Sequence, residues 1–284
     1  MLHATAFCPA NISLVFETYP AEPPHGRGSL GVGITLDAGV TVRVSREPLA
    51  DRSMILVGGE AWEFPTVRSV LVSLTQESIR VEITAAFLFG CGFGMSGASA
   101  LATALAVNEL LDLGKGRAAL GMVAHDAEVG NATGLGDVGG QYNGGIMIKT
   151  CRHQPLSVEH LAIPPQTLHY RVHGPILTSE VINSPEKLRH INAAGHAALA
   201  SIKTTGDRLT MAGLFEISHT FAKDSGLLES DEVAADIAAA GAAGHAATMI
   251  MLGEAVISTG PFPGSRSAGI VSQGAVLRGA SAAD

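Results

Sequence analysis

Apolar and polar positions alternate along "ATAFCPANISLVFE", "SLGVGITLDAGVTVRVSRE" and "SIRVEITAAFLF", the two-residue period of half-buried strands. Between the first two lies "TYPAEPPHGRGS", a Pro/Gly-rich loop too long for a tight hairpin. The period then lengthens. An Ala/Leu run predicts a helix over 98–113 with Gly114 as its stop, and a second helix is predicted over 117–128. The glycine-rich "GNATGLGDVGGQYNGG" follows as a turn, and then a strand, "IMIK". Around "TCRHQPLSVEHLAIPP" the pattern breaks, so we place a boundary there between a first domain, 1–155, and a second, 156–284. The second half reads as a strand ("TLHYRVHG"), three helices and two short strands ("ATMIML", "AVIS"), and the tail from about Ser272 is expected to be disordered. Strands and helices in both halves predict an α+β protein of two lobes with a cleft between them.

Composition narrows this. The chain has 284 residues, 46% hydrophobic and 5% aromatic, with 34 glycines, so it can bury a large Ala/Val/Gly-rich core. A net charge of −8 argues against a nucleic-acid partner, which would call for a basic face. Nucleotides stay open, because backbone amides and a metal ion can hold their few phosphates. The three cysteines, Cys8, Cys91 and Cys151, form no CxxC pair, which fits a reduced, cytoplasmic setting. The first residues lack a basic stretch leading into a long apolar run, so no signal peptide is expected. The apolar segment 234–252 is interrupted by Asp236, His245 and glycines and reads as buried protein rather than a membrane span.

The densest motif is "GCGFGMSGASALATALAVNELL". Gly92, Gly94 and Gly97 fit G-x-G-x-x-G, but the second strand and acidic residue of a dinucleotide-binding unit do not follow. A P-loop fails as well, since no Lys follows the last glycine until Lys115. Two readings remain: close packing of a Gly/Ala turn, or a helix N-terminus whose amides and dipole receive phosphates. In the second, Ser96 or Ser99 offers a hydroxyl to a phosphate oxygen or to Mg²⁺. Downstream, Glu128 near a helix end and Asp137 in a glycine turn supply two carboxylates. One would hold Mg²⁺ and the other accept a proton from an attacking hydroxyl. The plainer alternative is a solvated Glu128 and an Asp137 that stabilises its turn. His125 lies one helical turn before Glu128 and is either a substrate contact or a buried structural histidine.

"GFGMSGASA" resembles the phosphate loop of the GHMP kinases, and "FCPANISLVFE" resembles that family's opening motif. Glu128 and Asp137 match its Glu-then-Asp spacing. "GSLGVGITLDAGVTVRV", "HDAEVGNATGLGDVGGQYNGGI", "ILTSEVINSPEKLRHINAAG", "FAKDSGL" and "ATMIMLGEAVIS" resemble the archaeal pantoate kinase branch. The resemblance implies a two-lobed GHMP kinase fold, an ATP-binding first domain and transfer of phosphate from ATP to pantoate for coenzyme A synthesis. It also implies nucleotide contacts at Gly90, Gly92, Phe93, Gly94, Met95, Ser96, Gly97, Ala98 and Ser99, with Mg²⁺ at Ser96 and Glu128 and catalysis by Asp137 and Glu128. Substrate contacts are implied at Ser29, His125, Lys149 and Thr178, and a homodimer by the resemblance alone. Lys149 stands where the branch usually has Arg, keeping the charge without the bidentate fork. In "GAAGHAATMIMLGEA" only Gly241 and Gly244 stand for the usual glycine-rich third motif. The alternatives are a GHMP kinase for another small alcohol such as homoserine or a mevalonate-like acid, a dinucleotide-binding oxidoreductase, and a non-catalytic ligand binder.

Overall fold

The computed structural model describes residues 3–19, 28–47 and 52–278. Two long strands open it, β1 (His3–Tyr19) and β2 (Gly28–Arg46), paired antiparallel. The Pro/Gly-rich loop predicted between them falls mostly at 20–27, outside the described residues. Register shifts at Pro9/Ala10 and Ser13/Val15 bend β1 on either side of Asn11 and Ser13, as bulges do where a side chain must be re-aimed. Ile12 and Leu14 point into the core with no exposure at all.

Chain order continues with β3 (Met54–Val57), β4 (Glu60–Ala61), α1 (Pro65–Leu74), β5 (Ile79–Ala85), α2 (Met95–Leu111), α3 (Arg117–Gly130), α4 (Asp137–Asn143), β6 (Ile146–Lys149) and β7 (Glu159–His160). The first sheet runs β1-β2-β5-β3-β4, with 276–278 added outside β1, and β6 pairs with both β2 and β7. The helix predicted over 98–113 is α2, which starts three residues earlier, at Met95. It is apolar all round and packs on β1, β2, α1 and α3, as a central helix should. Asp112 closes it in the left-handed conformation, two residues before Gly114.

Several elements differ from the sequence reading, two of them beside the glycine-rich motifs or in the first core. The glycine stretch after Glu128 is not all turn, because α4 begins at Asp137. The unread α1 has Pro65 at its start and buries Val67, Val70, Leu71 and Leu74 in a helical stripe.

The second half contributes β8 (Thr167–Pro175), α5 (Thr178–Ile182), α6 (Pro185–Thr205), α7 (Met211–Asp224), α8 (Asp231–Ala242), β9 (Ala247–Met249), β10 (Gly253–Ser258) and β11 (Arg266–Gly269). Its sheet is antiparallel, in the order β11-β8-β10-β9. Ser184, Thr210 and Ser230 cap α6, α7 and α8 with their hydroxyls. Within the described residues, 272–278 are ordered where disorder was expected: β12 (Val276–Arg278) returns to the first sheet and pairs with β1. Arg117 holds it there by donating to the carbonyls of Ala275 (2.6 Å) and Tyr142 (2.7 Å). One hydrophobic cluster includes residues of both sheets.

Candidate active site

The glycine turn joins the end of β5 to the start of α2. Gly92 and Gly94 have φ of +83° and +65°, a region that side-chain-bearing residues avoid. Space excludes side chains too. A Cβ on Gly92 would come within 2.8 Å of Ile250 and of the Met251 carbonyl, and one on Gly94 within 2.8 Å of the Gln141 amide nitrogen. The turn is therefore packed tightly against the second half, yet Gly90, Gly92, Gly94, Met95 and Ser96 line an open cleft on its other side. Packing and access are both present.

No side chain caps α2, and the first amide to find a partner within the helix is that of Ala98, on the Gly94 carbonyl at 3.0 Å. The amides before it have no partner inside the helix, and with the helix dipole they form a site for an anion. Gln141 Nε2 donates to the Gly94 carbonyl at 2.6 Å and the Asn11 amide to the Phe93 carbonyl at 3.2 Å, fixing the turn from both sides. Gly94→Ala should lower nucleotide affinity at least tenfold, measured by calorimetry on protein shown to be folded.

Glu128 sits in the last turn of α3 and is only 2% exposed, so it is not a solvated helix residue. Thr133 donates to its Oε1 at 2.8 Å. Thr66, buried at the start of α1, lies 3.0 Å from the Thr133 hydroxyl and accepts from Ser96 at 3.3 Å. Four side chains from α1, α2, α3 and the α3–α4 loop thus form one chain ending on Glu128. Burial, and then the charge of Asp137, push the Glu128 carboxyl up to about 7.

Asp137, the first residue of α4, accepts from Asn11 Nδ2 at 2.9 Å and from the Ser13 hydroxyl at 3.5 Å. Burial raises it above the usual carboxylate range; Asn11, Ser13 and the charge of Lys149 oppose that rise. Gly134 lies between the two carboxylates, and a side chain there would collide with Glu128 Oε2. The Glu128 carboxylate and the Ser96 hydroxyl are hard oxygen donors lining one cleft, the donor type that suits a divalent ion such as Mg²⁺, which needs only one or two protein ligands when phosphates supply the rest.

Ser29 and Thr178 line the same cleft from β2 and α5. Lys149, at the end of β6, is 5% exposed and lines a smaller cavity that shares Ser13, Phe16, Ser29 and Gly136 with the cleft. Burial lowers its ammonium to about 8, against the pull of Asp137. Other expected contacts do not turn a side chain to the cleft. Phe93 is stacked on Phe87 in the core at 4.1 Å, Ala98 is fully buried, and Gly97 faces the side chains of Gln141 and Glu128. Ser99 spends its hydroxyl on the Met95 carbonyl (2.8 Å), which turns it away from the cleft and leaves Ser96 as the hydroxyl there. His125 is buried and does not line the cleft. The sequence reading did not single out Asn11, Ser13, Thr66, Thr133 or Gln141.

Residues 65–145 match the N-terminal domain of the GHMP kinases. A pantoate kinase of Thermococcus kodakarensis is 30% identical over 268 residues, which cover 89% of this chain and 86% of that protein. The chain belongs to the pantoate kinase family. A pantoate kinase of Methanospirillum hungatei is 27% identical over 267 residues, covering 92% of this chain and 88% of its own length. A solved structure described as a phosphotransferase related to the CoA biosynthesis pathway superposes with a TM-score of 0.84 at 24% identity, covering 97% of this chain and 98% of that one. The fold is accordingly the two-lobed GHMP kinase fold, and the cleft at the N-terminus of α2 belongs to a family of ATP-dependent kinases. No helix among the described residues is long and apolar enough to cross a membrane.

Proposed function

We propose that the chain transfers the γ-phosphoryl group of ATP to the 4-hydroxyl of (R)-pantoate, giving (R)-4-phosphopantoate and ADP. The observation that carries this reading is the placement of two carboxylates, the buried Glu128 and the half-buried Asp137, beside the uncapped N-terminus of α2 in a member of the pantoate kinase family.

The geometry supports the following roles. The free amides at the start of α2 receive phosphate oxygens. Asp137, held by Asn11 and Ser13, takes the proton of the substrate hydroxyl as its oxygen bonds to the γ-phosphorus and the bond to ADP breaks. Mg²⁺, when bound, would neutralise phosphate charge, and Glu128 and Ser96 are the residues that would hold it. Lys149 meets the substrate carboxylate, with Ser29 and Thr178 closing the cleft around it. Most of the catalysis is then positioning and charge neutralisation.

The experiment is ADP release from ATP and Mg²⁺ with D-pantoate beside homoserine, mevalonate, galactose, shikimate and pantothenate. Release confined to pantoate supports the reading, and release confined to another acceptor overturns the substrate assignment. A pH dependence follows from Lys149. Its ammonium is charged below about 8 and lost above it, so the KM for pantoate should rise as pH passes 8. Lys149→Arg should flatten that rise, and Lys149→Met should raise KM roughly 10- to 100-fold at pH 7 by removing a charge-assisted bond.

A further inference from the structure

Two side chains that line the small cavity beside Asp137 carry buried polar atoms with no hydrogen-bond partner, Lys149 Nζ and Asn11 Oδ1. Each belongs to a side chain at most 5% exposed. A lone donor and a lone acceptor in one cavity are costly to leave unpaired and together describe what the cavity takes. The orientation of Asn11 follows from chemistry. A carboxylate only accepts hydrogen bonds, so the amide edge on Asp137 must be the NH₂, which aims Oδ1 away from it. That oxygen lies against Gly33 and Gly140. A Cβ on Gly33 would come within 2.9 Å of it, and one on Gly140 would collide with it. The cavity measures about 40 Å³, room for roughly three water-sized groups, which suits one end of a small substrate and not the whole.

We propose that Asn11 determines specificity: its Oδ1 accepts a hydrogen bond from a hydroxyl on the carbon next to the substrate carboxylate, while Lys149 takes the carboxylate itself. The substrate class is a 2-hydroxy acid carrying a second, more distant hydroxyl. One amide then reads one end of the substrate with Oδ1 and holds the general base for the other end with Nδ2. This rests on the function proposed above, in which pantoate has both groups.

The test compares kcat/KM for (R)-pantoate, for 4-hydroxy-3,3-dimethylbutanoate, which lacks the 2-hydroxyl, and for 4-hydroxy-3,3-dimethyl-2-oxobutanoate, which offers only lone pairs there. The unaltered protein should use both analogues roughly 10- to 100-fold less well than pantoate. Asn11→Ala should slow all three, because Asp137 loses a donor, and should bring the three values within about threefold of one another. A purely structural role would slow all three and keep the original ratios, which would overturn the inference. If Asn11→Ala does not fold, Asn11→Ser and the unaltered protein's own ratios decide the matter. Equal use of all three by the unaltered protein overturns the inference alone; use of none overturns the proposed function with it.

Discussion

Asp137→Ala should lower kcat by at least ~1,000-fold while changing the affinity for ATP less than threefold. The magnitude is that of removing a general base at a phosphoryl-transfer site. The selectivity follows from position: Asp137 opens α4 and is held by Asn11 and Ser13 of β1, whereas the amides proposed to receive phosphates belong to α2. Single-turnover kinetics with a nucleotide titration checks both halves. Lost ATP binding in a folded variant would place Asp137 in the nucleotide site and take it out of the chemical step.

Glu128→Gln should separate stability from activity. The Glu128 carboxyl is raised from 4.5 to about 7 in the folded protein. Between those values the folded state binds the extra proton, so stability is greatest at low pH and falls as pH rises toward 7. A shift of that size corresponds to about 3 kcal/mol. Asp137, also raised by burial, acts in the same direction; Lys149, lowered to about 8, acts oppositely and only above that pH. Glutamine can still accept from Thr133 and carries no charge. Without nucleotide, Glu128→Gln should therefore unfold at higher denaturant than the unaltered protein at pH 8, and the difference should shrink at pH 5. Its kcat should be down roughly 100- to 1,000-fold, as for other losses of a charged group that stabilises developing charge. Denaturation curves at both pH values with a kinetic assay decide this. An unchanged pH profile of stability would mean that Glu128 titrates normally.

Much of this site was legible in the sequence because its chemistry is carried by local patterns. Glycines ahead of an Ala/Leu run announce an exposed helix N-terminus, and that is where α2 begins. Spacing alone left Glu128 and Asp137 open between catalytic and structural roles; the resemblance to the GHMP kinases singled them out, and both line the cleft. The supporting residues were not. Asn11 and Asp137 are 126 positions apart, and a bond across that interval leaves no local periodicity. Thr66 and Thr133 look like ordinary threonines until α1 and the α3–α4 loop bring them together. Ser99 misled because a serine in the first turn of a helix can face the ligand or bond back to its own turn, and here it does the latter. The tail looked loose because its partner strand lies at the opposite end of the chain. The helix α1 could have been read, since Pro65 and the stripe of Val67, Val70, Leu71 and Leu74 give its start and its buried face.

The central claim is that Asp137 activates the 4-hydroxyl of a substrate whose carboxylate is held by Lys149. The most direct measurement locates the new phosphoryl group by phosphorus–proton correlation NMR after incubation with ATP, Mg²⁺ and (R)-pantoate. The account predicts a single phosphomonoester coupled to the C4 methylene protons, absent when Asp137→Ala replaces the unaltered protein. A phosphoryl group on the carboxylate or on the 2-hydroxyl, or none from folded protein, would contradict it.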